Sequence, residues 1–580
     1  MLLPYIYGRR KFRYQIMVLL GMVENTAKKQ VSWLVIGRML VLPVLMLFAL
    51  FLRADSNDWG LPFRLHPDEW KYVSAGANCH LGEFNPKYFR NPPGFSYLNA
   101  AWYPVWLKVR TPVEVPGWLG INPMWLSPTD DVETTFLYRP FDLVLGGRAL
   151  SALLGMLTVA GVFFLAREWL AVQYAFGAAG LAAVSFANVR ECHFAVNDPA
   201  ATCLVLWAMV LGVMAFRKSS TMLFYISAAL CGVAIAFKYN MAPGLVALVG
   251  MRGLLFWSKR REESYLPLLR DVVVMGLLGI LFFLLVCPFP ITDPETFGLE
   301  IEKLRVAAEK PWQGQDARWS GVQLVETICK SEGLVTALFA LAGLIILGYR
   351  KKLSLLFFPF LYCLLVGMHP LFFVRFSLPV LPWISVMAAI AVSECLKHYK
   401  GRELTATLIS VVLFSILAIE PLAKDLRSNY LLKQTDTRIE LLHWLKTDSK
   451  NESLIGLDQF SIPLVYRGIA DFWTQPADSR LVYIDRLVSS ELNRLDSLPA
   501  PVELLVISGF ASLPGHIADS YVERRNALQK FSGATNPIRI FPFSPFGEPH
   551  ANDIEDAYSP FDDLWFRDRP GPIIEIFKRL

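Results

Sequence analysis

Charge is the scarcest commodity in this chain: Asp, Glu, Lys and Arg make up 18% of its 580 residues, against 54% hydrophobic. That balance excludes a solvated, disordered polypeptide. The eight cysteines show no zinc-ligand spacing, and none lies beyond Cys395. A zinc module and a disulfide framework in the last third are therefore not expected. Internal repeats are also missing, which separates the chain from the many transporters built on inverted repeats. The basic N-terminus and its short apolar patch, Ile16 to Val23, lack a following small-residue cleavage site, so the first long apolar segment reads as a retained signal anchor.

What is there comes in apolar runs close to the length of a bilayer crossing. They cover Val31 to Leu52, Arg148 to Ala166, Tyr174 to Val189, Ala200 to Phe216, Met222 to Phe237 and Met241 to Trp257. Further runs are Val272 to Phe289, Gly333 to Leu347, Leu353 to Val366, Phe372 to Ser393 and Leu404 to Ile419. The reading is a polytopic α-helical membrane protein with about eleven transmembrane helices. Its net charge of +6 sits at alternate helix ends, in Arg9, Arg10, Lys28, Lys29, Arg167, Arg217, Lys259, Arg350 and Lys397 among others. This is the pattern of cytoplasmic loops in a multi-pass protein of the cytoplasmic membrane, not that of a nucleic-acid binder. The N-terminus is thus expected on the cytoplasmic side, with the loop after the first span and the whole C-terminal part on the outer, periplasmic side.

The expected organisation is a cytoplasmic segment 1–30, a transmembrane domain 31–421 with outer loops 53–140 and 290–332, and an outer-face domain 422–580. Gly94 to Leu107 is too short to span, and its Tyr97, Trp102, Tyr103 and Trp106 suit a juxtamembrane helix at the outer interface. In the last domain, Asp436 to Thr447 has helical periodicity. Leu454 to Leu457, Leu481 to Ile484, Glu503 to Ser508 and Ile573 to Phe577 read as short buried strands of an α/β unit. Pro542 to Pro572 reads as a long loop or lid.

Two acidic motifs stand at the outer ends of spans. In His66-Pro67-Asp68-Glu69 the carboxylates lie where a helix begins, so they either favour the helix dipole or do chemistry. Tyr72 follows Asp68 by four residues, on the same helical face. In Asn197-Asp198-Pro199 an acid immediately precedes a span, as an N-cap or as a functional group at membrane depth. Three cations on the same side depart from the charge bias: Arg90, within Tyr88-Phe89-Arg90-Asn91-Pro92-Pro93, Lys238 and Arg375. Each suits either a phosphate or lipid headgroups.

The ordered combination of these motifs resembles the polyprenyl-phosphate-sugar-dependent glycosyltransferases of the GT-C fold, a family that includes protein O-mannosyltransferases and the lipid A aminoarabinose transferase. The resemblance covers the layout of residues 30 to 420. It departs at Asn91, where relatives often carry Lys or His before the proline pair. It implies a GT-C-like fold, and transfer of a sugar from a polyprenyl-phosphate donor to an acceptor hydroxyl or phosphate with inversion. Since the leaving group is already a phosphate, one base suffices where glycoside hydrolysis uses two carboxylates. The expected base is Asp68, with Glu69 orienting acceptor or loop. Lys238, Arg375, Arg90 and Tyr88 are expected at the donor phosphate, and Asp198, Asn197 and Tyr72 in positioning roles. Trp312, Arg318 and Trp319 make a weaker candidate for sugar stacking, with interfacial anchoring as the alternative. No cofactor is required. A divalent metal among Asp68, Asp198 and His193 is the alternative the residue types permit. The acceptor is a glycan, lipid or protein, and membrane lipids are the other partners. A membrane transporter or lipid flippase is the competing class, and a glycan polymerase or ligase using another donor is a third.

Overall fold

The computed structural model describes residues 33–119, 127–258, 264–311, 318–397, 399, 401, 403–447, 454–458, 461, 464–465, 481–484, 502–508, 528–533, 537, 539–541 and 560–579. Helix α1 (Trp33–Ala54) leads into a loop containing β1 (Phe63–Arg64) and then into α2 (Glu69–His80) and α3 (Gly94–Val109), which pack on each other. After the short α4 (Val132–Tyr138) come α5 (Pro140–Arg167), α6 (Val172–Ala183), α7 (Phe186–Glu191), α8 (Asn197–Lys218), α9 (Thr221–Ile235), α10 (Pro243–Ser258) and α11 (Tyr265–Val286). Then follow α12 (Pro294–Ala308), α13 (Ser320–Glu332), α14 (Leu334–Tyr349), α15 (Phe357–Gly367), α16 (Leu381–Leu396) and the long α17 (Glu403–Leu432).

Among the described residues five helices are long and apolar enough to cross a bilayer, or six if the bent pair α13 and α14 is one span. The chain turns by 117° between those two, so α13 is not a straight continuation of α14. Every expected span coincides at least in part with a helix, but several are shorter than the apolar run that announced them. The run from Tyr174 to Val189 breaks after Ala183. Buried Arg53 accounts for how the break is tolerated, because its guanidinium donates to the Ala182 and Ala183 carbonyls at 3.1 and 2.8 Å and to Asn188 Oδ1 at 2.8 Å. Backbone acceptors at a helix end are costly to bury unpaired, and the cation satisfies them. The run from Phe372 begins instead as a tight turn at Val374–Ser377, and α16 starts only at Leu381, with Pro382 in its first turn where proline is tolerated.

Helix α8 fixes the geometry of the site. It runs 22 residues from Asn197 to Lys218, about 33 Å at 1.5 Å per residue. Asp198 therefore lies at one membrane face, called here the site face, and Arg217 and Lys218 at the other. α5 and α9 pack along α8, and its interior side is closed by Val205, Leu206, Met209 and Val213.

The last part of the chain is the expected α/β unit. Helix α18 (Thr437–Thr447) and strands β2 (Leu454–Asp458), β3 (Leu464–Val465), β4 (Leu481–Ile484), β5 (Val502–Ser508), β6 (Arg539–Phe541) and β7 (Ile574–Lys578) follow in order. Five form one sheet, β4-β2-β5-β7-β6, parallel across β4, β2 and β5 and antiparallel at β7 and β6. Leu441 and Leu445 of α18 pack on Ile455, Leu457, Val506, Ile574 and Ile576. β3 leaves this sheet to pair antiparallel with β1. Of the expected loop or lid, residues 542–559 lie outside the described residues.

Candidate active site

Asp68 occupies the N-cap position of α2, but its side chain accepts no backbone N–H there. Its carboxylate is held instead by two cations from different parts of the chain: Lys71 Nζ at 2.9 Å from Oδ1, and Arg375 Nη1 at 2.7 Å from Oδ2. Helical spacing brings Lys71 back over Asp68 from one turn on. Arg375 arrives from the Val374–Ser377 turn. Burial pushes the Asp68 carboxyl up, but Arg375 and then Lys71 outweigh it and hold it well below the usual carboxylate range. His66 Nδ1 accepts the Asp68 backbone N–H at 3.2 Å, and its ring stacks on Phe194 with centroids 4.4 Å apart. Burial lowers the His66 pKa to about 4, against the pull of Glu69 and Asp68, so the imidazole is neutral at physiological pH.

Glu69 has a different fate. Its side chain is fully buried and forked by Arg148 of α5, Nε to Oε1 at 2.7 Å and Nη2 to Oε2 at 2.8 Å. The Ala195 N–H donates to Oε1 at 2.9 Å. Arg148 Nη1 also reaches the carbonyls of Asn57 and Trp59 at 2.8 and 2.7 Å. This arrangement suits Glu69 to holding the loop; no face of it is open to an acceptor.

The second acidic motif joins the first through polar contacts. Tyr72 donates to Asn197 Oδ1 at 2.8 Å, and Asn197 Nδ2 donates to the Phe237 carbonyl at 2.7 Å. Asp198 pairs with Lys238, whose ammonium also lies 5.0 Å from the centre of the Phe376 ring, next to Arg375. Burial lowers the Lys238 pKa below the ordinary lysine value, opposed by Asp198. The turn carrying Lys238 is seated against α3 at Gly94, whose N–H donates to the Ala236 carbonyl at 3.0 Å. A Cβ at Gly94 would stand 2.7 Å from that carbonyl oxygen, so only glycine permits the approach.

Beside Lys71 and Tyr72 opens a cavity of about 350 Å³ between α2 and residues 83–96, lined by Asn78, Asn85, Tyr88, Asn91 and Ser96 among others. Tyr88 lies between two cations, with Lys71 Nζ 5.6 Å and the Arg90 guanidinium 4.8 Å from its ring centre. Arg90 itself pairs with Glu300 of α12 at 3.2 Å. Prolines and Ala75 give the cavity a mostly apolar wall, into which phenols, amides, hydroxyls and Glu83 are set, with Lys71 paired to Asp68 and Lys87 to Asp293. Such a lining offers an apolar surface with a few polar groups to orient a ligand.

The structure thus brings together Asp68, Tyr72, Asn197, Asp198, Lys238 and Arg375, with Tyr88 and Arg90 across the cavity. Arg318 and Trp319 stand elsewhere: Arg318 pairs with Glu326 at 2.9 Å, and Trp319 donates to the Gly367 carbonyl at 2.7 Å. Trp312 lies outside the described residues. Both ring nitrogens of His193 are engaged at 2.9 Å, with the Val189 and Asp55 carbonyls. Asp68 and Asp198 are paired with cations, and no group of three His, Cys, Asp or Glu is arranged to hold a metal ion among the described residues. Two contributors were not legible beforehand. Lys71 sits among aromatics without a motif, and Arg148 looked like the flank of a span, whereas α5 starts eight residues earlier at Pro140.

Residues 143–289, about a quarter of the chain, match the family model of the dolichyl-phosphate-mannose-protein mannosyltransferases. The matched segment holds Arg148, Asn197, Asp198 and Lys238, so it supplies one wall of the site. Among solved structures, the chain is similar to the Archaeoglobus fulgidus oligosaccharyltransferase AglB in complex with an inhibitory peptide and a dolichol-phosphate, at 12% identity over 90% of this chain and 75% of that one, with a TM-score of 0.49. ArnT from Cupriavidus metallidurans bound to undecaprenyl phosphate is similar at 15% identity, over 81% of this chain and 93% of that one, with a TM-score of 0.45. The S. cerevisiae Pmt1-Pmt2 complex aligns over 50% of this chain and 35% of its own, at 14% identity and a TM-score of 0.31. No curated protein sequence matches the chain.

Proposed function

We propose that this chain is an integral membrane glycosyltransferase that moves a sugar from a polyprenyl-phosphate donor to an acceptor hydroxyl, with inversion and with Asp68 as the base. The observation that carries the reading is the placement of one part-exposed carboxylate between separable cations, Lys71 and Arg375, beside the Asp198–Lys238 pair and a cavity. The family match over residues 143–289 supports the same class.

The geometry bears on the order of events. As it stands, Asp68 is too weak a base for an alcohol, because two cations stabilise its charged form. A donor phosphate at Arg375 and Lys238 would compete for Arg375, and each charge drawn away raises the basicity of Asp68. The base is then strengthened when the donor is seated. The acceptor oxygen gives its proton to Asp68 and bonds to the anomeric carbon. The bond from that carbon to the phosphate oxygen breaks, and its electron pair leaves with the polyprenyl phosphate. Charge gathering on that phosphate is met by Arg375 and Lys238. Glu69 and Arg148 take no part beyond fixing the loop. Asn197 and Tyr72 position the Asp68 helix, and Tyr88 with Arg90 borders the donor or acceptor sugar.

The basic residues at the far helix ends, Arg167, Arg217, Lys218, Arg350 and Lys397, support a cytoplasmic far face and an outward site face in the cytoplasmic membrane. The phosphate assignment is tested by measuring undecaprenyl phosphate binding to the purified wild type and to Lys238→Ala and Arg375→Ala. Each substitution is expected to weaken binding about tenfold or more, the scale of a charged hydrogen bond. Unchanged affinity in both would remove these residues from the phosphate site.

A further inference from the structure

The segment that precedes Asp68 is held from the C-terminal domain at three places. β1 pairs antiparallel with β3, Phe63 opposite Val465 and Arg64 opposite Leu464. Arg438, in the first turn of α18, points Nη1 at the Leu65 carbonyl at 3.4 Å, while its Nε and Nη2 are forked by Asp436 at 2.8 Å each. Phe63 stacks on Trp118 at 6.2 Å between centroids, and Trp118 meets His443 of α18 edge-on at 5.1 Å. Residues 63–65 are three to five positions from Asp68, with His66 bonded to the Asp68 backbone between them.

Other supports of this loop lie on either side of residues 63–65. Arg148 fixes the carbonyls of Asn57 and Trp59 and, beyond Asp68, the carboxylate of Glu69. Lys433 and Asn429 of the α17 end hold Asp55 and Leu52. Between Trp59 and Asp68, His66 stacks on Phe194. The polar restraint on Leu65 and the strand pairing on Phe63 and Arg64 come from residues 438 and 464–465.

We propose that the C-terminal domain is a working part of the transfer site: Arg438, with β3 and His443, sets the position of Asp68, and Arg438 is a positioning residue for the base. The inference rests on Asp68 acting as that base. Displacement of a reacting group by about 1 Å can cost on the order of 100-fold in rate without removing any group that touches substrate. Loss of the Arg438 contact therefore lowers turnover and spares donor affinity. Lysine at 438 cannot reproduce the fork on Asp436 while reaching Leu65, so it restores little.

The test uses the full-length protein with Arg438→Ala, Arg438→Lys and His443→Ala; His443 is exposed, so its removal does not endanger folding. Hydrogen exchange is followed in the peptide covering residues 60–70, alongside kcat and KM for the polyprenyl-phosphate sugar consumed by the wild type. The expected result is faster exchange confined to that peptide and a kcat reduced tenfold or more in Arg438→Ala, a smaller fall in His443→Ala, and a donor KM within threefold of wild type. Unchanged exchange, faster exchange with unchanged kcat, or a loss residing in KM would each overturn the proposal. Full activity of Asp68→Asn would overturn the base itself, and the exchange result would still report whether the C-terminal domain holds the loop.

Discussion

Asp68 and Glu69 are neighbours in sequence with the same charge, and the fold uses them in opposite ways. Successive helical residues point about 100° apart. Glu69 turns inward to a guanidinium that has no exposure, while Asp68 keeps about a quarter of its side chain open and faces two cations that also have exposed surface. A bidentate pair sealed in the interior is costly to open, because either partner left alone is a buried charge. A carboxylate shared between two accessible cations can exchange partners with a phosphate and an alcohol. The contrast separates a residue that holds the site together from one that can do chemistry in it, a distinction that carboxylate spacing alone cannot make.

Breaking each half of the comparison has a different signature. Asp68→Asn keeps the shape of the side chain and removes the proposed base, so transfer is expected to fall by about 100- to 10,000-fold, with the melting temperature held or raised; activity within threefold of wild type would end its role. Arg148→Met attacks the other half. It strands Glu69 in the interior and is expected to destabilise the protein by about 3–5 kcal/mol, seen as lost yield and a lower Tm, whereas a Tm equal to wild type would mean that Glu69 finds water or another partner.

A smaller effect sharpens the contrast by adding a third carboxyl that is buried without any cation bonded to it. Glu332, at the end of α13, accepts hydrogen bonds from Ser185 at 2.6 Å and Ser331 at 2.8 Å, and burial still pushes its pKa up to about 7 from an ordinary 4.5. The folded state therefore holds this proton more tightly than the unfolded chain. The contribution is fully present below about pH 4.5 and is lost as pH rises through about 7. Glu332→Gln is expected to melt with the wild type at pH 4.5 and a few degrees above it at pH 8. Equal melting curves at both values would show that Glu332 is ionised in the fold.

Much of this was legible in the sequence because charge in an apolar chain is conspicuous. Asp68, Asp198, Lys238 and Arg375 stood out by lying at the wrong ends of spans for the basic bias, or at membrane depth. The helix expected over 436–447 and the strands expected over 454–457, 481–484, 503–508 and 573–577 followed from periodicity and short buried runs, and each is found within one residue at either end. The capping alternative for Asp68 was open in the sequence and is decided by geometry, since its carboxylate bonds to Lys71 and Arg375 and to no helix N–H. Arg148, Lys71 and Arg438 were not legible because each acts through a contact that periodicity does not encode. Arg53 shows the same limit, since the break after Ala183 depends on a cation 130 residues away. The two-residue β1–β3 ladder is too short to leave any pattern.

The central claim is that a lipid-phosphate sugar is consumed at Asp68. It is tested most directly by incubating the purified wild type and Asp68→Asn with a panel of polyprenyl-phosphate sugars and following release of polyprenyl phosphate. The account predicts that the wild type consumes a donor in the panel and that Asp68→Asn, folded and able to bind undecaprenyl phosphate, does not. Equal consumption by both proteins, or consumption of no donor by a wild type that binds none of them, would contradict it.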